Sequence, residues 1–337
     1  DDDDDKPVDP SLQPLQDQYS QLKIRHEWVN VKMTPDRITN CLGVAGHLSF
    51  WDIDNKEEDT DEPVIFSYRP TTQNITNLKF SVNDASTLYL SSIDGSFRTF
   101  DMNAAKFNDI VLPDKYPITH FDITDNGQVI YFATGNGEIG IHDTRSKDTD
   151  TVITLRNQKI GCININPIHT NLMVAASNDR TATIWDIRNL KNKDNDDDDA
   201  GYTPLQELTH GFAVTSAFWS PDGKYLSTSC YDDFLRVFDL NKDNLQLDLK
   251  KKIRHNCHTG KTVWNENKRF GIDHPHFVIG DLRHLTSIYA AESATKIVDL
   301  YDPDRITATP AVNSVHPTLD SLAIISANGS GRAWCWT

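Results

Sequence analysis

Apolar and polar positions alternate along the chain in short runs, and one composite pattern recurs. A run of small residues leads into a polar turn with Asp, Asn or Gly, and an alternating stretch then closes on an aromatic residue and Asp. It reads "CLGVAGHLSFWDI" at 41–53, "LYLSSIDGSFRTFDM" at 88–102, "YFATGNGEIGIHDT" at 131–144 and "MVAASNDRTATIWDI" at 173–187. It returns as "YLSTSCYDDFLRVFDL" at 225–240, more weakly as "FVIGDLRHLTSIYAA" at 277–291, and as "LAIISANGSGRAWCW" at 322–336. Period-two alternation bounded by turn residues predicts strands. Each unit also carries an upstream strand and turn, as in "AVTSAFWSPDGKYLSTS" at 213–229, where Pro-Asp-Gly supplies the turn.

The closing aspartates 52, 101, 143, 186 and 239 lie 49, 42, 43 and 53 residues apart. That is the WD-repeat period of about 40–45 residues, stretched by insertions. Four short strands per unit and seven units predict an all-β, seven-bladed WD-repeat β-propeller over residues 21–337, with 1–20 as an acidic, flexible leading segment. Two β-sandwiches would leave the recurring aromatic-Asp unexplained. Two irregularities stand out. Thirteen residues separate Thr39 from Asp52 where 25 separate Thr76 from Asp101, and the sixth unit has no closing Asp. Residues 11–30, with "HEWVNV", are expected to supply the outer strand of the last blade.

Composition adds bounds. Of 337 residues, 38% are hydrophobic and 24% charged, as in an ordinary globular chain. No run of about 18 apolar residues suggests a membrane span. Five cysteines, at 41, 162, 230, 257 and 335, form no CxxC pair, which argues for reduced, mostly buried thiols in nucleus or cytosol. The net charge of −16 disfavours a nucleic-acid partner until it is located: residues 1–5, 54–62 and 194–199 carry −5 each, so the remainder is nearly neutral. "DDDDDK" at 1–6 matches a tag-cleavage site and equally reads as a natural acidic tail.

In such a propeller the second-to-third-strand loop and the loop leading to the next blade share one end. That end collects Arg37, Arg69, Lys115, Arg156, Lys159, Arg180, Arg254, His255, His258, Lys261, Arg283, His284 and Arg305, whereas 54–62 and 194–199 follow closing aspartates and fall at the other. A basic face opposite an acidic one is the electrostatic footprint of a phosphate binder; ordinary solvated side chains are the plainer reading. "RHNCHTGK" at 254–261 is the densest cluster of chemically capable residues. Zinc needs about four ligands, and no second cluster completes His255, Cys257 and His258. A nucleophilic Cys257 would need a positioned base and an oxyanion hole, and no motif supplies them. An ordered polar turn or an anion-gripping loop remains. The DNA-contact candidates are Arg37, Arg69, Arg180, Arg236, Arg254, His255, Lys261, Arg283 and Arg305, with Arg236 expected on the inward side of its blade. No enzyme, metal or cofactor is expected.

"HNCHTG" at 255–260, "HPHFVIG" at 274–280, "DPDRITATPAVNSVHPT" at 302–318 and "GSGRAWCW" at 329–336 resemble the changed-mutation-rate WD-repeat family of budding yeasts, which is related to the small subunit of the UV-damaged-DNA-binding complex. The resemblance runs over about residues 20–337 and implies a nuclear, non-enzymatic propeller that binds double-stranded DNA, prefers UV-damaged duplex and serves genome maintenance. It also implies a lesion-inserting hairpin after "KKKIRHNCHTGK", although "HTGK" here passes directly into "TVWNE". "IWDIR" at 184–188 is similar to the box by which propellers dock onto the cullin-4 adaptor, which implies partner contacts at Trp185, Asp186 and Arg188; "IHDTR" at 141–145 is a weaker copy. The competing expectation is a protein-interaction scaffold on chromatin, reading histones or serving a ligase. A monomer is expected in either case.

Overall fold

The computed structural model describes residues 9–28, 41–42, 46–51, 64–81, 83–84, 86–110, 116–145, 151–190, 202–255, 263–265, 275–317, 322–328 and 332–337. The chain is all-β in its sheets and of the WD-repeat β-propeller kind, and the described residues form six four-stranded blades rather than the seven expected. Among the described residues the first repeat gives a three-stranded sheet, Cys41–Leu42, Leu48–Trp51 and Val64–Tyr68. The shortfall has a simple origin. Two strands of the usual length and a turn do not fit in the thirteen residues before Asp52, and Cys41–Leu42 is a two-residue strand. The sixth repeat, by contrast, makes all four strands without its closing Asp, from Val263–Asn265 to Lys296–Leu300.

The chain divides into two compact units, Lys32–Thr215 and Asp1–Val31 with Ser216–Thr337. In the first, the 75–110, 118–154 and 160–209 blades follow the three-stranded sheet. The inner strands are largely buried, as in Leu172–Ser177, where every residue is buried. Innermost strands stitch neighbouring blades together through polar side chains. Thr76 Oγ1 donates to the Ile118 carbonyl (2.8 Å), Asn77 Nδ2 to that of Phe121 (2.8 Å) and Thr119 Oγ1 to that of Ile160 (2.5 Å). Buried Asp122 pairs with Lys79 and accepts from Asn164 Nδ2 (2.9 Å) and the Ile165 N–H (2.8 Å). Burial alone would raise this carboxyl's pKa, but the Lys79 ammonium and these donors hold it below its ordinary value.

The second unit holds the 214–254 and 263–300 blades and a terminal blade. The last has strands Val312–Pro317, Leu322–Ala327 and Ala333–Trp336, with Ile24–Trp28 added as its outer strand. That outer strand is the one expected from residues 11–30. The residues before it form a turn at Pro10–Leu12 and a helix at Gln13–Ser20, which the strand pattern had not suggested. Leu12, Leu15 and Tyr19 are buried in one cluster with Val278, Ile288, Trp334 and Trp336. The Tyr19 hydroxyl meets His276 Nε2 at 2.6 Å, a buried tie between helix and blade. Among the described residues no helix is long and apolar enough to cross a membrane.

Candidate nucleic-acid interface

The turn between second and third strands repeats in five blades with one backbone signature. Gly95, Gly137, Arg180, Asp233 and His284 all have φ between 61° and 86°. Left-handed backbone suits glycine, and an L side chain there is strained. Two of these turns, at Gly137 and Arg180, are fastened on both sides by backbone bonds, and those at Gly95 and Asp233 on one side. The residue two before the left-handed position donates its N–H to the carbonyl ahead of the blade's first strand, as from Ile93 to Asn74, Gly135 to Pro117 and Asn178 to Lys159. The left-handed residue's carbonyl accepts from the residue leaving the fourth strand, as from Arg156 to Gly137, His210 to Arg180 and His255 to Asp233. In the 118–154 and 160–209 blades this end is therefore a frame held by backbone on both sides for the side chains that the sequence placed there.

The acids of these turns decide which cations remain available. Asp179 takes Arg156 Nε at 2.5 Å, and Glu207 takes its Nη1 at 3.0 Å. Arg236, almost wholly buried, forms a two-pronged pair with Asp232, so its charge is used inside the blade. Burial pushes the Asp232 carboxyl up, and the Arg236 guanidinium more than offsets that. Arg283 is half exposed but rests on buried Asp281 at 3.1 Å. Arg305 donates to the Ile24 carbonyl at 2.8 Å and lies 3.9 Å from Asp302. Arg69, Arg180 and Arg254 are exposed, and among the described residues none has an ion pair. Arg37 and Lys261, with most of "RHNCHTGK", lie outside the described residues.

His255 is not at the surface. It is 4% exposed; Nε2 meets the Gly280 carbonyl at 2.9 Å and Nδ1 the Tyr289 hydroxyl at 3.2 Å, with Asp281 3.7 Å away. Burial lowers its pKa despite the Gly280 carbonyl and Asp281, so the imidazole is held neutral. It acts as a clasp between two blades. Sequence reasoning also passed over Tyr231, Leu282 and Tyr301, three exposed large side chains at the same end of their blades. Superposing the turn sequences "SIDGS", "TGNGE", "SNDRT", "CYDDF" and "DLRHL" would have found the first two, which with Ile93 stand where the remaining two turns have Gly and Asn.

At the opposite end Trp185 is 2% exposed, and its Nε1 donates to Thr183 Oγ1 at 2.8 Å. Asp186 accepts Arg188 Nε at 3.0 Å and Nη2 at 2.6 Å, bonds that hold its carboxyl below the ordinary range. The preceding blade repeats the chelate, with Arg145 Nε and Nη2 on Asp143 at 3.0 and 2.7 Å. Beside Arg188 lies a depression of about 310 Å³ lined by Asn126, Tyr131, Asn171 and Ile187, among others.

The family model "WD domain, G-beta repeat" matches residues 202–239. Proteins named DNA damage-binding protein CMR1 are similar over most of the chain. The one from Neurospora crassa is 30% identical over 97% of this chain and 70% of its own length. That from Scheffersomyces stipitis is 29% identical over 95% and 69%, respectively. The Chaetomium globosum protein is 32% identical over 85% of the chain, which spans 57% of that relative.

Proposed function

We propose, from the premise that this chain belongs to the family of fungal proteins named DNA damage-binding protein CMR1, that it is a non-catalytic propeller which grips duplex DNA by its phosphates, favours UV-damaged or otherwise distorted duplex, and works in the nucleus in genome maintenance. The supporting observation is the unequal use of cations at one end of the blades. Arg156 and Arg236 are consumed by the turn acids Asp179 and Asp232, whereas Arg69, Arg180 and Arg254 stand exposed. Guanidinium groups so placed fit phosphate oxygens without reading sequence. Arg283 and Arg305, each already partly engaged, would contribute less; His255 and Arg236 act in the scaffold beneath. The test is affinity for intact and irradiated duplex across a salt series. Arg254→Glu should weaken both and flatten the dependence of log affinity on log salt by about one unit per lost phosphate contact. Binding by the parent chain that ignores salt would reject the reading.

A second reading is favoured by the paired Asp-x-Arg chelates. Two consecutive blades present Arg145 and Arg188 in the same bidentate geometry, next to a depression, which suits docking of a protein such as a cullin-4-type adaptor or a chromatin component. Arg188→Glu should then abolish partner capture and leave DNA affinity as in the parent, the converse of Arg254→Glu.

A further inference from the structure

Three large side chains are about half exposed at the loop end of two consecutive blades. Tyr231 is 46% exposed, Leu282 47% and Tyr301 58%. Tyr231 and Leu282 hold one equivalent position. Each directly follows a second strand, Tyr225–Cys230 or His276–Asp281, and stands two residues before a left-handed residue, Asp233 or His284. The 75–110 blade has Ile93 at this position, also exposed. The 118–154 and 160–209 blades have Gly135 and Asn178 there and make the same turn. Folding therefore does not require an apolar side chain at this place.

The neighbours of these residues are cationic. Arg254 ends the strand Leu247–Arg254 at the same end, and Arg283 follows Leu282 directly. His255 fastens the two turns, donating its N–H to the Asp233 carbonyl while Nε2 meets the Gly280 carbonyl. Tyr301 leaves the fourth strand of the second blade, Lys296–Leu300. The loop ends of these two blades thus carry two rings and an aliphatic side chain together with two guanidinium groups. An intact duplex offers phosphates to these groups but keeps its base faces stacked and out of reach. Bases out of the stack can lie on aromatic rings whatever their sequence, and an apolar wedge fits beside an opened step.

Resting on the DNA reading above, we propose that Tyr231, Leu282 and Tyr301 form a stacking rim for unpaired bases, so that the preferred ligand is DNA with locally unstacked bases. On this account damage is read as lost stacking and not through the chemistry of a photoproduct. A bubble of undamaged bases should serve as well as a lesion.

Affinity for an intact duplex, and for the same duplex carrying a short unpaired bubble, tests this by fluorescence anisotropy at one salt concentration. The bubble should bind about tenfold tighter, the contribution of roughly one stacked base. In Tyr231→Ala/Tyr301→Ala the ratio should fall towards one. Tyr231→Phe/Tyr301→Phe should keep it, because the rings remain. Ile168→Ala, which alters an exposed apolar residue between the first and second strands of another blade, should leave it as in the parent. A folded double-alanine variant with the parent ratio overturns the proposal. So does loss of the ratio in the phenylalanine pair, which would assign the effect to the hydroxyls. A parent ratio of one on a duplex that is nonetheless bound overturns the stacking rim and leaves the DNA reading standing. No binding to either DNA at low salt removes both.

Discussion

At the scale of single residues, identity of side chain said less than the company it keeps. Arg156, Arg180, Arg236 and Arg254 look alike in sequence and all fall near the same end of a blade. An acid two residues past the second strand claims Arg156 in one turn and Arg236 in another, and leaves Arg180 and Arg254 exposed. Breaking the buried Asp232–Arg236 pair by Arg236→Ala strands a carboxylate, and should cost about 3–5 kcal/mol in denaturant unfolding. His255 has its own signature. Its folded pKa lies below its ordinary value, so the unfolded chain binds a proton that the folded chain refuses. Stability is then fully present above about pH 6.5 and is lost as pH falls from there through the folded pKa. Thermal unfolding should show that decline in the parent and a flatter profile in His255→Gln, which cannot titrate.

At the scale of the element, the repeated turn gives two opposite expectations from one backbone position. Gly137 has φ of 86°, and a Cβ there would come within 2.2 Å of the Arg156 carbonyl oxygen. Gly137→Ala should destabilise by about 2 kcal/mol or more. Arg180, at φ 72° in the equivalent turn, carries that strain already. Arg180→Gly should raise stability by up to about 1 kcal/mol while weakening DNA binding, an exchange that chemical denaturation and anisotropy together would register. The strands of the blades were legible because alternation and the closing aromatic-Asp are local signals. Trp185 and Asp186 end their strand as the repeat said. The first sheet, three-stranded among the described residues, showed as a spacing, Thr39 to Asp52, whose consequence was read as a short blade in a complete set of seven. The helix Gln13–Ser20 left no strong local sign, since its hold comes from Leu15 and Tyr19 packing against residues far away in sequence. The status of His255 was illegible for the same reason: its partners, Gly280 and Tyr289, belong to the next blade.

At the scale of the whole molecule, charge had to be located before it could be interpreted. A net −16 lies mostly in three short acidic runs, and the phosphate-binding reading rests on a few arginines against that background. The terminal blade shows how sequence ends matter to the second unit. Removing residues 1–28 would take away the helix, the Tyr19–His276 tie and the outer strand together, baring the edge of Ala333–Trp336. The shortened chain should melt well below the parent and aggregate on gel filtration, because an unpaired, apolar strand edge invites other chains.

That same pairing also sets a clock. Trp28 lies against Ala333, 305 residues later, so the blade cannot be completed until its final strand has left the ribosome. At about 5–20 residues per second, the early strand waits roughly 15–60 s for its partner. Throughout that interval it is an unmatched ribbon among strands of similar pattern. Between the synthesis of Trp28 and that of Ala333 the blade therefore stays open, and the order of birth, as much as the sequence, determines how safely it is made.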